Sequence, residues 1–338
     1  MNIYDYSLDD LEKYMISIGE SKYRALQVFL WLYEKRVDSF SLMSNLSKDL
    51  ISKLSSHFVF NKISLIKEEK DVDVNKYLFE LSDGERIECV LMRHNYGLSL
   101  CVSSEVGCNM GCRFCESGRL KKVRNLTSGE LVLQIMMVEK LIGEKITHIV
   151  VMGIGEPFDN YLNITKFVEI INNPKGLNIG ARHITISTCG VVPKIIEFSS
   201  FPYQVNLAIS LHAPNDKLRS ELMPINKVYP IDKLMDAVKY YISKTKRRVT
   251  FEYIMLDGIN DTKECALELV SLVKGLNAYI NLIPYNESSN ILFNRSKNEQ
   301  IMTFYDIIKK NGINVTVRRE FGSNISAACG QLRANKEE

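Results

Sequence analysis

His148-Ile-Val-Val-Met152-Gly-Ile-Gly-Glu156-Pro157, with the amphipathic run 161–172 behind it, reads as one strand, one tight turn and one helix. Ile149, Val150 and Val151 are β-branched and apolar in sequence, as a strand covered on both faces requires. The glycines and Pro157 break the extended run, and apolar positions resume at helical spacing from Tyr161. The same unit repeats in both directions. Strand-like runs stand at 98–102, 183–187, 205–211, 249–255, 279–283 and 314–318, and helix-like runs at 128–142, 231–245, 263–276 and 297–311. Such alternation, with roughly 25–40 residues between strands, predicts βα units and a parallel sheet. The expected fold class is α/β, a partial (β/α)6 barrel over residues 98–338.

In parallel sheets of this kind the working residues gather at the carboxyl ends of the strands. There the chain places Gly155 and Glu156, Ser187, the run Ser210-Leu211-His212, and Asn286. Glycines at 153 and 155 would let a ligand approach the backbone closely, and Glu156 offers a carboxylate to a cationic group. Each of these residues, taken singly, also fits turn capping and core hydrogen bonding.

The segment before the barrel has a different character. Residues 1–62 read as a helical accessory domain, with amphipathic runs near 8–16, 24–35 and 42–54 and Ser47 as a helix cap. This module is expected to help hold the substrate, or else to cap the barrel. Residues 63–97 read as a β-hairpin linker, with strands at 76–81 and 86–92 around the turn Ser82-Asp-Gly84.

Cys108-Asn-Met-Gly-Cys112-Arg-Phe-Cys115 carries the chemistry. Three thiolates this close can bind three irons of a [4Fe–4S] cube and leave the fourth open to a small molecule. A structural zinc site wants four ligands, and no C-x-x-C or H-x3–5-H pair follows to complete one. The bulk composition is unremarkable: 338 residues, 46% hydrophobic, 25% charged and a net charge of only +3. Composition alone does not announce a nucleic-acid binder. The basic residues are clustered, however, at Arg119–Arg124, at Lys244–Arg248 and at Arg318 and Arg319. No apolar run approaches the ~20 residues of a membrane span. The acidic, amphipathic start is no signal peptide, so a cytoplasmic location is expected. There the eight cysteines would stay reduced and serve metal binding or catalysis.

With Phe114 before its last cysteine, the triplet resembles that of radical S-adenosylmethionine (SAM) enzymes. Further stretches narrow the resemblance: Cys101-Val-Ser-Ser-Glu-Val-Gly-Cys108, Gly155-Glu156-Pro157, Leu222-Met-Pro-Ile-Asn226, Asn281-Leu-Ile-Pro-Tyr-Asn286, the segment Tyr23-Arg-Ala-Leu-Gln27, and the tail Ala327-Ala-Cys329-Gly-Gln-Leu332. Together they resemble the RlmN/Cfr family of radical SAM rRNA adenosine methyltransferases over essentially the whole chain. The resemblance implies a [4Fe–4S] cluster on Cys108, Cys112 and Cys115. It implies SAM contacts at Gly155, Glu156, Ser187, Ser210, Leu211, His212 and Asn286, and catalytic roles for Glu88, Cys101 and Cys329. Cys89, Cys189 and Cys265 match no such role and read as core thiols.

In that family Cys329 would carry a methyl group taken from one SAM, and a radical made from a second SAM would activate it for addition to adenine. Cys101 would then release the product through a transient disulfide, while Glu88 handles a proton. The implied substrate is 23S rRNA at adenosine 2503, with adenosine 37 of tRNA a second substrate in some members. A reducing donor such as flavodoxin or ferredoxin is implied too, and a monomer. Pro157 and Val106 favour methylation at C2, the RlmN outcome. The run Tyr229-Pro-Ile-Asp232 and the chain length resemble Cfr proteins, which methylate C8 and confer antibiotic resistance. A non-catalytic Fe–S or zinc RNA-binding protein on the same scaffold is the third reading.

Overall fold

The computed structural model describes residues 1–288, 291–318, 325, 327 and 330–333. Three helices open the chain: α1 (Leu8–Ser17), α2 (Tyr23–Tyr33) and α3 (Lys48–His57). Ser7 and Asp10 form a reciprocal capping box at α1, which satisfies two amide donors that a helix start leaves bare. Ser47 caps α3 by accepting the Leu50 N–H at 3.2 Å. That helix therefore begins later than the apolar run from Leu42 suggests, because 40–42 closes a separate 3-10 turn. The helices bury Leu11, Met15, Phe29, Leu32, Leu50 and Leu54 in the same core as the barrel helices. They also dock through polar contacts: the Asp5 carboxylate accepts the Gly129 N–H at 2.7 Å, and Lys166 meets Asp10 at 2.5 Å.

One sheet of ten strands forms the body. Its first four strands are antiparallel: β1 (Ser64–Asp71), β2 (Val74–Glu80), β3 (Arg86–His94) and β4 (Gly97–Val102). A small separate ladder joins β5 (Glu105–Val106) to β6 (Arg124–Asn125). The sheet resumes in parallel with β7 (His148–Val151), β8 (Ile184–Thr188), β9 (Asn206–Ser210), β10 (Val249–Met255), β11 (Ala278–Pro284) and β12 (Asn314–Val317). The crossovers carry α4 (Ser128–Ile142), α5 (Tyr161–Asn172), α6 (Val192–Phe198), α7 (Asp216–Leu222), α8 (Ile231–Thr245), α9 (Lys263–Val273) and α10 (Asn298–Lys310). This is the expected α/β partial barrel with a helical amino-terminal region. Segment 63–97 does more than join two parts: its three strands extend the barrel sheet itself. The charged strand β1 escaped the sequence reading because Ser64–Asp71 is an edge strand with little apolar alternation to detect.

The strand register places the site. Side chains alternate faces along a strand, and paired positions share a face. Val90 on β3 pairs with Cys101 on β4, Cys101 with Val150 on β7, and Val150 with Thr185 on β8. This row faces the barrel lumen. The opposite row, including Leu100, Ile149, Val151, Ile186, Leu207, Phe251 and Ile280, is fully buried under the helices. Among the described residues no helix is long and apolar enough to cross a membrane.

Candidate active site

The cysteine loop leaves β5 and folds over the carboxyl ends of the parallel strands. Its backbone is tied at several points: the Cys108 N–H donates to Leu120 O at 3.1 Å, Arg113 N–H to Leu222 O at 3.0 Å, and Glu116 N–H to Gly330 O at 2.8 Å. Phe114 is buried edge-on against the His212 ring, with centroids 4.8 Å apart. Cys108, Cys112 and Cys115 line one cavity with Gly155, Glu156, Ser187, Ser210 and His212. Burial, reinforced by the neighbouring cysteines, raises the Cys108 thiol to about 12 and Cys112 well above its ordinary value. Such thiols become thiolates when a cation neutralises them. Among the described residues no three His, Cys, Asp or Glu side chains converge on a single-ion site. A cube takes one thiolate per iron, so the cysteine trio fits an iron–sulfur cluster and does not fit a lone zinc.

The strand-end residues give the cavity its walls. Glu156 is buried, and both of its carboxylate oxygens accept backbone N–H groups, from Phe158 at 2.9 Å and Cys189 at 2.7 Å. Burial raises its carboxyl above the usual range, while these hydrogen bonds act in the opposite direction. The glycines before it also answer a packing need that their sequence does not suggest. A Cβ on Gly153 would lie 2.8 Å from Ser103 N and from Val102 O. On Gly155, at φ +108°, it would lie 2.6 Å from the Glu105 side chain. Close packing against the 103–105 segment therefore requires glycine there, whatever approaches from the cavity. Ser187 and Ser210 face each other across adjacent strands with hydroxyls 3.3 Å apart. Leu211 and Asn286 are buried at the same strand ends but do not line the cavity.

His212 sits at a left-handed φ of 57° and is buried. Its Nδ1 accepts the Ile254 N–H at 3.0 Å, which leaves the proton on Nε2. Burial, with the Arg219 charge adding to it, lowers this histidine to about 3, so the ring is a neutral donor at physiological pH.

Two features escaped the sequence reading. Arg219 is fully buried, and its guanidinium donates to Leu211 O at 3.2 Å, Asn226 Oδ1 at 2.9 Å, Cys189 O at 2.6 Å and Ser210 O at 3.3 Å. It thereby fastens the ends of β8 and β9, which carry Ser187 and Ser210. Glu105 is also fully buried, pairs with Lys122 at 2.5 Å and accepts the Glu156 N–H at 3.1 Å. Arg219 gave no sequence signal, standing in the charged run Asp216-Lys-Leu-Arg-Ser-Glu221, and Glu105 was marked only as a lone charge in an uncharged stretch. Cys189 is buried in an apolar cluster and also borders the cavity, while Cys89 and Cys265 lie in the main core.

A second group of residues meets on the lumen side of β3 and β4. Glu88 stands two positions before Val90 on β3 and so shares the face of Cys101. Its carboxylate lies 3.4 Å from Lys76 and accepts the Arg333 N–H at 2.6 Å. The Lys76 ammonium is raised overall: burial lowers it, and the carboxylates of Glu88 and Glu69 outweigh that. Ala327 and Leu332 pack in one apolar cluster with Cys101 and Val90. Ser117 donates to Leu332 O at 2.8 Å, so this tail runs between the cysteine loop and β4. Cys329 itself lies outside the described residues.

The chain's likeness to known proteins agrees with this geometry. Residues 1–60 match the ribosomal RNA large subunit methyltransferase N-terminal domain, and residues 102–270 match the radical SAM superfamily. A probable dual-specificity RNA methyltransferase RlmN from Streptococcus thermophilus is 55% identical, over 99% of this chain and 88% of that protein. One from Spiroplasma citri is 53% identical, over 99% of this chain and 98% of its own length. The crystal structure of a radical SAM methyltransferase from Sphaerobacter thermophilus superposes with a TM-score of 0.92 at 42% identity, covering 99% of this chain and all of that one.

Proposed function

Because this chain belongs to the RlmN family of radical SAM RNA methyltransferases, which use a [4Fe–4S] cluster and SAM, we propose that it methylates C2 of adenosine 2503 in 23S rRNA. The dual specificity in its relatives' names extends the proposal to adenosine 37 of tRNA. The observation that carries the reading is the meeting of Glu88, Cys101 and the tail on both sides of residue 329. Gly330 O binds the Glu116 amide, next to Cys115, and Arg333 N–H binds Glu88. On the other side of residue 329, Ala327 packs with Cys101.

In this reading Cys108, Cys112 and Cys115 hold the cluster, and SAM occupies the cavity beside them. Bound there, the two supply the methyl group and the one-electron chemistry. The chain's residues do the rest. Glu156, Ser187, Ser210 and the neutral Nε2–H of His212 orient SAM, with Leu211 and Asn286 supporting through the backbone of the same strand ends. Cys329 as thiolate accepts the methyl group by displacement. C2 of adenine lies between two ring nitrogens and is electron-poor, so it cannot attack SAM directly, and a protein-borne carbon must be brought to it. Cys101 then attacks the Cys329 sulfur of the RNA adduct, forming a disulfide as the Cys329 sulfur–carbon bond breaks. Glu88 manages the proton that leaves the ring carbon, with Lys76 balancing its charge. We also propose a cytoplasmic monomer reduced by a flavodoxin or ferredoxin, with residues 1–62 as an RNA-contacting domain, 63–97 as the strands linking it to the core, and 98–338 as the catalytic barrel.

Substitution of Cys101 by alanine tests the mechanism. Cys101→Ala should load Cys329 with methyl and add to the base, yet fail to release it. The protein should accumulate covalently bound to RNA as a nuclease-sensitive band on a denaturing gel. A Cys101→Ala enzyme that turns over normally without an adduct would refute the two-cysteine mechanism.

A further inference from the structure

The basic clusters of the sequence meet different fates in the fold. Lys122 is neutralised by Glu105, and Arg124 makes a two-pronged pair with Glu130, both contacts at 2.8 Å, plus one to Asp83 at 2.7 Å. Arg247 and Arg248 of the second cluster come together with Arg182 instead, and among the described residues none of these three guanidiniums is in a salt bridge. Arg182 Nε donates to the Gln204 side chain at 3.0 Å, and Arg247 donates to Gln204 O at 2.6 Å. Arg248 lies over the Tyr279 ring, 4.9 Å from its centroid. Two cations are thus held beside each other through one glutamine. Burial lowers the Arg247 pKa and the Arg182 charge lowers it further, with Tyr241 acting in the opposite direction. Like charges gathered without an acid are stabilised by an incoming anion.

These arginines line a cavity of about 1010 Å³ at the amino ends of β8 to β11, opposite the cysteine loop. Met152, Glu252 and Arg318 border both this cavity and the cysteine-lined one, so the two meet inside the lumen. Beside Arg182 the same rim carries a ladder of flat rings. His183 stacks on His148 at 4.3 Å, Tyr96 meets His148 edge-on at 5.1 Å, and His94 stacks on Tyr96 at 4.6 Å. The carboxylate that lines this cavity, Glu252, is buried on β10 and accepts from the Asn281 side chain at 2.8 Å, and it forms no salt bridge with the three arginines. Arginines outside salt bridges beside stacked rings are the features that bind unpaired RNA, through its phosphates and its base faces.

We infer that the amino-end mouth of the barrel is the RNA port, where Arg182, Arg247 and Arg248 hold backbone phosphates flanking the nucleotide whose base reaches the cysteines through the lumen. The inference rests on the RNA methyltransferase reading above and adds where the RNA is gripped. Its signature is the salt dependence of binding. Each phosphate contact with a single strand contributes about 0.7 to the slope of log affinity against log salt. Three contacts contribute about 2.

The experiment measures binding of the cluster-loaded full chain to the 23S rRNA fragment containing the target loop, across a salt series. Replacing Arg182, Arg247 and Arg248 together by glutamine should lower the slope by about 2. The triple lysine variant, which keeps the charges, should retain it, a distinction that a merely structural role for the arginines would not produce. A triple glutamine variant with the wild-type slope overturns the port. If that variant does not fold, Arg248→Gln alone carries the test, since the contact shown for its guanidinium is the Tyr279 ring. It should then lower the slope by about 0.7, and no change overturns the port. A wild-type protein that neither binds nor methylates the fragment overturns the methyltransferase reading itself. A wild type that does both, with an unchanged slope in the glutamine variants, overturns only the port.

Discussion

Replacing Arg219 by leucine removes a residue that touches no substrate and yet holds two walls of the site together. Leu211 O keeps a second donor, the Ala213 N–H at 2.8 Å, and the contact to Ser210 O is the longest of the four at 3.3 Å, so neither is counted as a loss. Cys189 O and Asn226 Oδ1 each lose the guanidinium bond that the structure shows for them. A buried acceptor left bare costs about 1–3 kcal/mol. Two of them cost about 4 kcal/mol, which the removal of a buried cation with no carboxylate partner offsets in part. The net expectation is about 3 kcal/mol of lost stability. Unfolding entropy of about 2.1 cal/mol/K per residue gives about 0.7 kcal/mol/K for this chain, so Tm should fall by about 4 °C. Because Arg219 also fixes the strand ends bearing Ser187 and Ser210, SAM affinity should fall by about tenfold or more. The assay is an anaerobic thermal melt, paired with SAM titration of the cluster-loaded protein. Arg219→Lys should lie between wild type and Arg219→Leu, since one ammonium cannot span four acceptors on three elements. An Arg219→Leu protein that melts within about 1 °C of wild type and binds SAM normally would refute this reasoning.

Two further predictions follow from the same walls. Gly155→Ala should cost about 3 kcal/mol or more, because it combines a left-handed backbone with a Cβ 2.6 Å from Glu105. Gly84→Ala, at φ +80° in open space, should cost only about 1–2 kcal/mol, and equal melting shifts for the two would contradict the packing argument. For His212, the folded-state value of about 3 lies below the ordinary 6.5, so the unfolded chain binds the extra proton between those limits. Stability should therefore fall as pH drops from 6.5 towards 3, by up to about 1.4 kcal/mol per pH unit. His212→Asn should flatten that limb relative to wild type, and parallel limbs in acid melts would count against a neutral buried ring.

What could be read from the sequence was what has a period or a fixed local spacing. Helices α4, α5 and α8 occupy 128–142, 161–172 and 231–245, as their apolar periodicity indicates. Helices α6 and α7, of seven residues each, are too short to show a period, and neither was foreseen. The cysteine trio was legible because its spacing is local. Gly153 and Gly155 were legible as necessary glycines, but their packing against the 103–105 segment was not, since that segment lies some 50 residues upstream.

The remaining residues take their roles from partners distant in sequence, which no local pattern encodes. Arg219 looks like an ordinary helix arginine until α7 is laid across the ends of β8 and β9. Lys122 looked like part of a basic cluster, but Glu105 neutralises it. Arg247 and Arg248 looked no different from Lys122, and the fold leaves them without an acid. Sequence gives the charge of a side chain, whereas the fold decides whether that charge is balanced from within. That distinction is what places the proposed RNA contact at the end of the barrel opposite the cysteine loop. It also gives the two ends separate chemistry: thiols and a neutral histidine where radicals must be shielded from water, and, in the proposed port, solvent-reaching cations where a polyanion is caught.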